Sequence, residues 1–196
     1  MGRPDGRGVT DHDEWDDQPR ELHLWNRTVE QVGVWYDAVE LQAERVRTAV
    51  GGGENPTAAV TDVVFLIDAM HRLHRACAWS AERFEAGSRR RQRVDAATAG
   101  FATAHPHLQP LRHGFEHFNN WIEGTGVRQP KPTRSRRPFR PKLEYGRSRD
   151  GTVTDFVVHR DDLSLDVIAA AAAALAMGRE VNAVFNEKLD DRCGIA

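Results

Sequence analysis

The sequence predicts an all-α protein: an up-down bundle of four to five helices with a small β-hairpin inserted before the last helix. Apolar residues recur every three or four positions over several long segments, which is the period of one helix face. Glycines and prolines fall between these segments. A shorter stretch instead places apolar and aromatic residues on both sides of an Asp-Gly pair, a pattern typical of a β-hairpin.

The composition fits one domain of ordinary size. The chain has 196 residues, of which 40% are hydrophobic and 29% charged, and this is enough to build a single buried core. Residues 1–17 are acidic and lack apolar periodicity, so we expect a disordered N-terminus followed by one domain over 18–196. A net charge of −2 does not by itself indicate a polyanionic partner.

Several classes of protein are disfavoured. The two cysteines, Cys77 and Cys193, cannot build a disulfide framework and lack the spacing of zinc ligands, so a reducing compartment is expected. The longest apolar run, 167–177, is shorter than the roughly 20 residues that span a membrane. No signal peptide, phosphate-binding loop or dinucleotide motif is present. These observations predict a cytoplasmic protein that has no membrane contact and no cofactor.

Each helix has its own boundary signals. The first begins near Pro19 and ends at the glycines 51–53. The second begins at Pro56, after the capping residue Asn55, and ends at Gly87. The third covers about 89–103 and the fourth about 108–122, where apolar residues alternate steps of three and four; these residues are Leu108, Leu111, Phe115, Phe118 and Ile122.

The last third of the chain changes pattern. The prolines within residues 127–141 predict an extended loop there. The hairpin is predicted at about 142–159, around Asp150-Gly151. Asp161 or Asp162 is expected to cap the final, alanine-rich helix over roughly 163–189, which should pack closely against its neighbours.

Polar residues that could carry chemistry concentrate on the fourth helix. Arg112 and Glu116 are four residues apart, as are His113 and His117, so each pair shares a face. Arg112 and His117 are separated by about 140° around the helix axis. These two could still serve one site in a groove between helices or across a dimer interface.

The Arg-x4-His spacing of Arg112 and His117, with the polar His113 directly after the arginine, resembles the motif of HEPN domains, which are all-α domains of four or five helices. The resemblance implies a metal-independent endoribonuclease of the toxin–antitoxin or defence type, which acts as a homodimer and has an antitoxin or other protein as a further partner. Arg112 and His117 would be catalytic, with His113 and Glu116 supporting them. His117 would transfer protons and Arg112 would stabilise the charged phosphorane.

A basic segment follows the motif in the sequence and contains no acidic residue. It could steer an RNA backbone toward the site, although such charge runs are usually solvated loops. Its cationic residues are Arg128, Lys131, Arg134, Arg136, Arg137, Arg140 and Lys142.

Two other functions compete with the nuclease hypothesis. In a non-catalytic interaction module, Arg112 would pair with Glu116 and only tie helices together. In a metal-binding bundle, imidazoles and a carboxylate from two helices would converge on one ion. The repeated Glu-x-x-His pairs of di-iron bundles are absent, so no metal is predicted. The ligands in that case would be Asp68, His71, His74, His113 and His117.

Overall fold

The computed structural model describes residues 20–51, 56–116, 142–147, 153–160 and 162–193. Its helices are α1 (Arg20–Gly51), α2 (Pro56–Ser80), α3 (Arg89–Ala104), α4 (Leu108–Glu116) and α5 (Val167–Cys193). Strands β1 (Lys142–Arg147), β2 (Val153–Arg160) and β3 (Leu163–Asp166) form an antiparallel sheet in chain order. The mainly helical fold and the hairpin before the last helix are confirmed, and the predicted disordered segment 1–17 lies outside the described residues.

One hydrophobic core joins these elements. α1 packs along α2, and α5 packs against α1, α2 and α3. By length and composition α5 could cross a membrane, a property that core helices of globular domains share. Its buried face, which includes Ala170, Ala174, Val181 and Phe185, lies in this core. Burial also raises the pKa of Cys77 to about 12, so this thiol is a small core residue, as expected.

α2 ends earlier than the sequence predicts. Its last residue is Ser80, whose buried hydroxyl donates to the Cys77 carbonyl at 2.6 Å, and a 3-10 turn covers Ala81–Arg83. Phe84 then adopts an extended backbone, which places its ring against Trp25 and Phe185 in the core. If α2 continued as a regular helix to Gly87, the Phe84 ring would not occupy this position beside Trp25 and Phe185.

The start of the last helix was predicted wrongly. Residues 163–166 form β3, in which Leu163 and Leu165 are buried and Ser164 is exposed, and they pair with β2. α5 therefore begins at Val167. Its cap is Asp166, whose Oδ1 accepts hydrogen bonds from the backbone N–H groups of Ile168 and Ala169 at 3.0 and 3.1 Å. Asp162 precedes β3 and does not cap the helix, and Asp161 lies outside the described residues.

Close packing between α1 and α5 depends on Gly178. A Cβ atom at this position would lie 2.8 Å from Cδ2 of Tyr36 and 3.6 Å from a methyl group of Leu73. The Tyr36 hydroxyl also accepts a hydrogen bond from Arg179 at 3.3 Å, which helps to hold the ring in place. The alanine-rich helix thus brings its backbone within contact distance of an aromatic ring.

We expect Gly178→Ala to lower the free energy of unfolding by about 1 kcal/mol, because the clash with Tyr36 outweighs the higher helix propensity of alanine. Gly100→Ala in α3 is the matched control. No described residue has an atom within 4 Å of a Cβ placed at Gly100, so this change should raise stability by about 0.5–1 kcal/mol. Urea denaturation of both variants measures the difference. Equal stabilisation by the two alanines would contradict the close packing at Gly178.

Candidate functional site

α4 places Arg112 against the outer side of α2. The inner face of this helix is held in the core by Leu108 and Leu111, and Gly114 is buried as well. Arg112 follows Leu111 and leaves the core at an angle that keeps 19% of its side chain exposed. Its Nε donates to Oδ1 of Asp68 at 2.9 Å. The arginine singled out from the sequence is therefore oriented by a carboxylate on another helix.

Asp68 binds two arginines at once. Its second oxygen accepts from Nε of Arg72 at 2.6 Å, one helical turn along α2. Partial burial by itself would raise the pKa of Asp68, but the hydrogen bonds and charges of Arg112 and Arg72 bring that pKa below its ordinary value. The carboxylate is ionised at neutral pH, and two guanidinium groups beside it leave one net positive charge at this point of the surface.

His71 lies beside this cluster and is nearly buried, with 8% of its surface exposed. Burial lowers its pKa to about 4, and the positive charges of Arg112 and Arg75 act in the same direction. Within the described part of the chain, its buried Nδ1 has no hydrogen-bond partner. The imidazole is therefore neutral at pH 7, and it adds no charge to the Arg112–Asp68 pair.

The other histidines of this region pack against aromatic rings. His74 lies 5.5 Å from the Phe101 ring and His105 lies 5.1 Å from it, measured between ring centroids. Burial lowers the pKa of both imidazoles, although a hydrogen bond to the Thr98 backbone opposes the shift at His74. Among the described residues, no three histidine, cysteine or acidic side chains converge on a point where a metal ion could bind.

The remaining residues of the predicted site are only partly covered. His113 is exposed on α4, one residue beyond Arg112. Glu116 ends the described helix, and its side chain is outside the description. His117 and the basic residues Arg128, Lys131, Arg134, Arg136, Arg137 and Arg140 lie outside the described residues. Lys142 begins β1.

The sequence reading missed a row of residues on the exposed side of α2. At 100° per residue, Phe65, Asp68, Arg72, Arg75 and Trp79 fall within about 80° of one another. Phe65 and Trp79 are 56% and 39% exposed, and Arg75 is exposed too. We call these five residues the α2 row. The spacings of three and four within this row are present in the sequence, but periodicity alone does not indicate that such a stripe forms a site.

A separate groove of about 560 Å³ lies between the start of α3 and the end of α5, and it contains the arginine-rich run of α3. Arg93 binds Glu180 at 2.8 Å and Glu187 at 2.6 Å, and Arg90 binds Asp191 at 2.5 Å. These carboxylates offset the unfavourable placement of cations at a helix N-terminus. The run is thereby explained as a set of ion pairs that joins α3 to α5.

No protein-family model, curated protein or solved structure matches this chain. The likeness to HEPN domains therefore rests on the spacing of Arg112 and His117 and on the helical layout.

Proposed function

We propose that this protein binds RNA and cleaves it without a metal ion, with Arg112 and His117 as the catalytic residues. The observation that supports the proposal is the 2.9 Å hydrogen bond from Arg112 to Asp68, which orients a guanidinium group at a partly exposed position on α4. A guanidinium held in this way is pre-organised for a phosphate, because its planar fork matches the geometry of phosphate oxygens.

The chemistry needs few protein groups because RNA carries its own nucleophile. The 2′-oxygen attacks the adjacent phosphorus, the bond from phosphorus to the 5′-oxygen breaks, and the products are a 2′,3′-cyclic phosphate and a 5′-hydroxyl. One proton leaves the 2′-hydroxyl and one is delivered to the 5′-oxygen, so the reaction consumes none overall. His117 transfers one of these protons and solvent the other, while Arg112 stabilises the added charge on the phosphorane.

The charges around Arg112 suit this role. Asp68 is shared by Arg112 and Arg72, so this three-residue cluster carries one net positive charge and is not a neutral ion pair. His71 is buried and neutral at pH 7, so it adds no charge to the cluster. A phosphate would meet an attractive potential that falls as salt rises.

Several further features belong to the same proposal. The protein would act in the cytoplasm as a homodimer of up-down bundles, with one motif from each subunit facing a shared cleft and the basic segment 128–142 guiding the RNA backbone. Inhibition by an antitoxin protein would fit a nuclease of the defence type. His113 and Glu116 would support the catalytic pair from the same helix.

The test is cleavage of a labelled RNA in the presence of EDTA by the wild type, Arg112→Ala and His117→Ala. We expect each variant to lose activity by about a hundredfold or more, with EDTA having no effect and a cyclic phosphate at the 3′ end of the product. Arg47→Ala, at an exposed position of α1, is the control for removing one surface arginine. Full activity in folded Arg112→Ala or His117→Ala protein, or complete inhibition by EDTA, would overturn the assignment.

A non-catalytic interaction module is the second candidate, and one observation favours it. The Arg112–Asp68 contact joins α4 to α2, which is the role expected of a structural ion pair. In that case Arg112→Ala would lower the thermal unfolding midpoint, and the wild type would cleave no RNA. If the wild type cleaves RNA and Arg112→Ala loses little stability, the non-catalytic interaction module is excluded.

A further inference from the structure

The α2 row extends along α2 in both directions from Asp68, the residue that Arg112 of α4 contacts. From Phe65 to Trp79 it extends 14 residues, or about 21 Å at the rise of an α-helix. Asp68, the residue that holds Arg112, lies one turn from Phe65 and three turns from Trp79. A ligand lying along this face would therefore pass the guanidinium of Arg112.

The row has an aromatic side chain at each end, Phe65 and Trp79, and the two arginines Arg72 and Arg75 between them. Phe65 is more than half exposed, so much of its ring faces solvent. Arg72 lies over the ring of Trp35 with its guanidinium carbon 4.9 Å from the centroid, and Arg83 lies over Trp79 at 5.3 Å. Such arginine–aromatic pairs present flat faces and positive charge together.

The charge balance of the row favours a polyanion. Asp68 is its one acidic residue, and that carboxylate is engaged by Arg72 and Arg112. Arg75 is exposed one turn further along, so the row with Arg112 carries more positive than negative charge. Nucleic-acid bases stack on aromatic rings and guanidinium planes, while phosphates bind the arginines, and this combination characterises surfaces for single strands.

We infer that the α2 row is a binding track for single-stranded RNA, with bases stacked on Phe65 and Trp79 and phosphates on Arg72 and Arg75. This inference rests on the proposed function, since it identifies the substrate class of the same site. A duplex would not fit, because its bases are stacked on each other and present no free face to an aromatic side chain. The track would deliver a single-stranded phosphate to Arg112.

The experiment measures binding separately from cleavage. A fluorescent oligouridylate of roughly ten nucleotides, within the usual site size for single strands, carries 2′-O-methyl groups and so lacks the nucleophile. We expect Phe65→Ala and Trp79→Ala each to weaken its affinity by about tenfold in fluorescence anisotropy. Leu41→Ala on α1 is the matched control, since Leu41 is 54% exposed and lies outside the row; its affinity should equal that of the wild type.

Two further measurements sharpen the result. Arg75→Ala should reduce the slope of log affinity against log salt by about 0.7, the value for one phosphate contact to a single strand. A duplex of the same length should compete for the protein less well than the single strand does. Wild-type affinity in both aromatic variants, or tighter binding of the duplex, would overturn the track.

The outcomes for the track and for the nuclease can be told apart. If Arg112→Ala and His117→Ala stop cleavage while the aromatic variants bind and cleave as the wild type does, the track is refuted and the nuclease stands. If the aromatic variants lose affinity but the wild type cleaves nothing, the track stands as an RNA-binding surface. If the wild type does not bind the oligonucleotide, the track is refuted. Binding of a protein partner is then the remaining function for this face of α2.

Discussion

Phe185→Ala is expected to destabilise the protein by about 3–5 kcal/mol, a large part of the roughly 5–15 kcal/mol that stabilises a typical domain. The Phe185 side chain is 1% exposed, and its ring meets Trp25 edge-on at 4.6 Å and Phe84 at 5.4 Å between centroids. Truncation leaves a cavity where α5, α1 and the segment after the 3-10 turn meet. Urea denaturation followed by tryptophan fluorescence measures the loss.

Two variants make this result interpretable. Phe65→Ala removes the same side chain from an exposed position of α2 and should change stability by less than about 0.5 kcal/mol. Phe185→Leu keeps part of the volume and should fall between the wild type and the alanine variant, which keeps the measurement possible if Phe185→Ala does not fold. Equal effects of Phe65→Ala and Phe185→Ala would contradict the position of Phe185 in the core.

The second large effect is a loss of stability in mild acid caused by His71. Its folded pKa of about 4 is below its unfolded value of 6.5, so the unfolded chain takes up the proton first as the pH falls. The contribution of His71 is fully present above pH 6.5 and is lost as the pH falls from 6.5 to 4. A shift of this size corresponds to about 3 kcal/mol. The groups that surround His71 are Arg112 on α4 and Asp68, His74 and Arg75 on α2.

The measurement is the free energy of unfolding at several pH values between about 7 and 4 for the wild type and His71→Gln. Since glutamine does not titrate, the variant should lose much less stability over this range. His74 and His105 shift in the same direction and supply the background that both proteins share. His113→Gln, at an exposed position of α4, controls for the loss of one imidazole. An unchanged pH dependence in His71→Gln would contradict the burial of this side chain.

Most helices could be predicted from the sequence because their signals are local. The start of α2 at Pro56, the start of α3 after Ser88, and the antiparallel pairing of β1 with β2 all follow from capping residues, periodicity and turn residues. The boundaries that failed were set by distant contacts. After α2 ends at Ser80, Phe84 packs against Trp25 of α1, and β3 pairs with the edge of β2.

The candidate site was predictable only in part for the same reason. Arg112 was identified from its spacing to His117, and the expected pairing with Glu116 is local. Its hydrogen bond to Asp68 spans 44 positions of the chain, and no periodicity indicates which carboxylate will lie opposite. In the metal-binding alternative Asp68, His71 and His74 would be ligands, whereas in the structure Asp68 accepts hydrogen bonds from Arg72 and Arg112, and His71 is neutral at pH 7.

The sequence by itself determined the mainly helical class, the order of the five helices, the hairpin before the last of them, and the arginine on α4, because each depends on residues within a few turns of one another. Only the tertiary structure decided that Asp68 joins Arg72 to Arg112, that His71 loses its charge at neutral pH, and that Phe65 and Trp79 remain exposed on α2. Solvation and charge depend on which elements pack together, and that packing is a property of the whole chain.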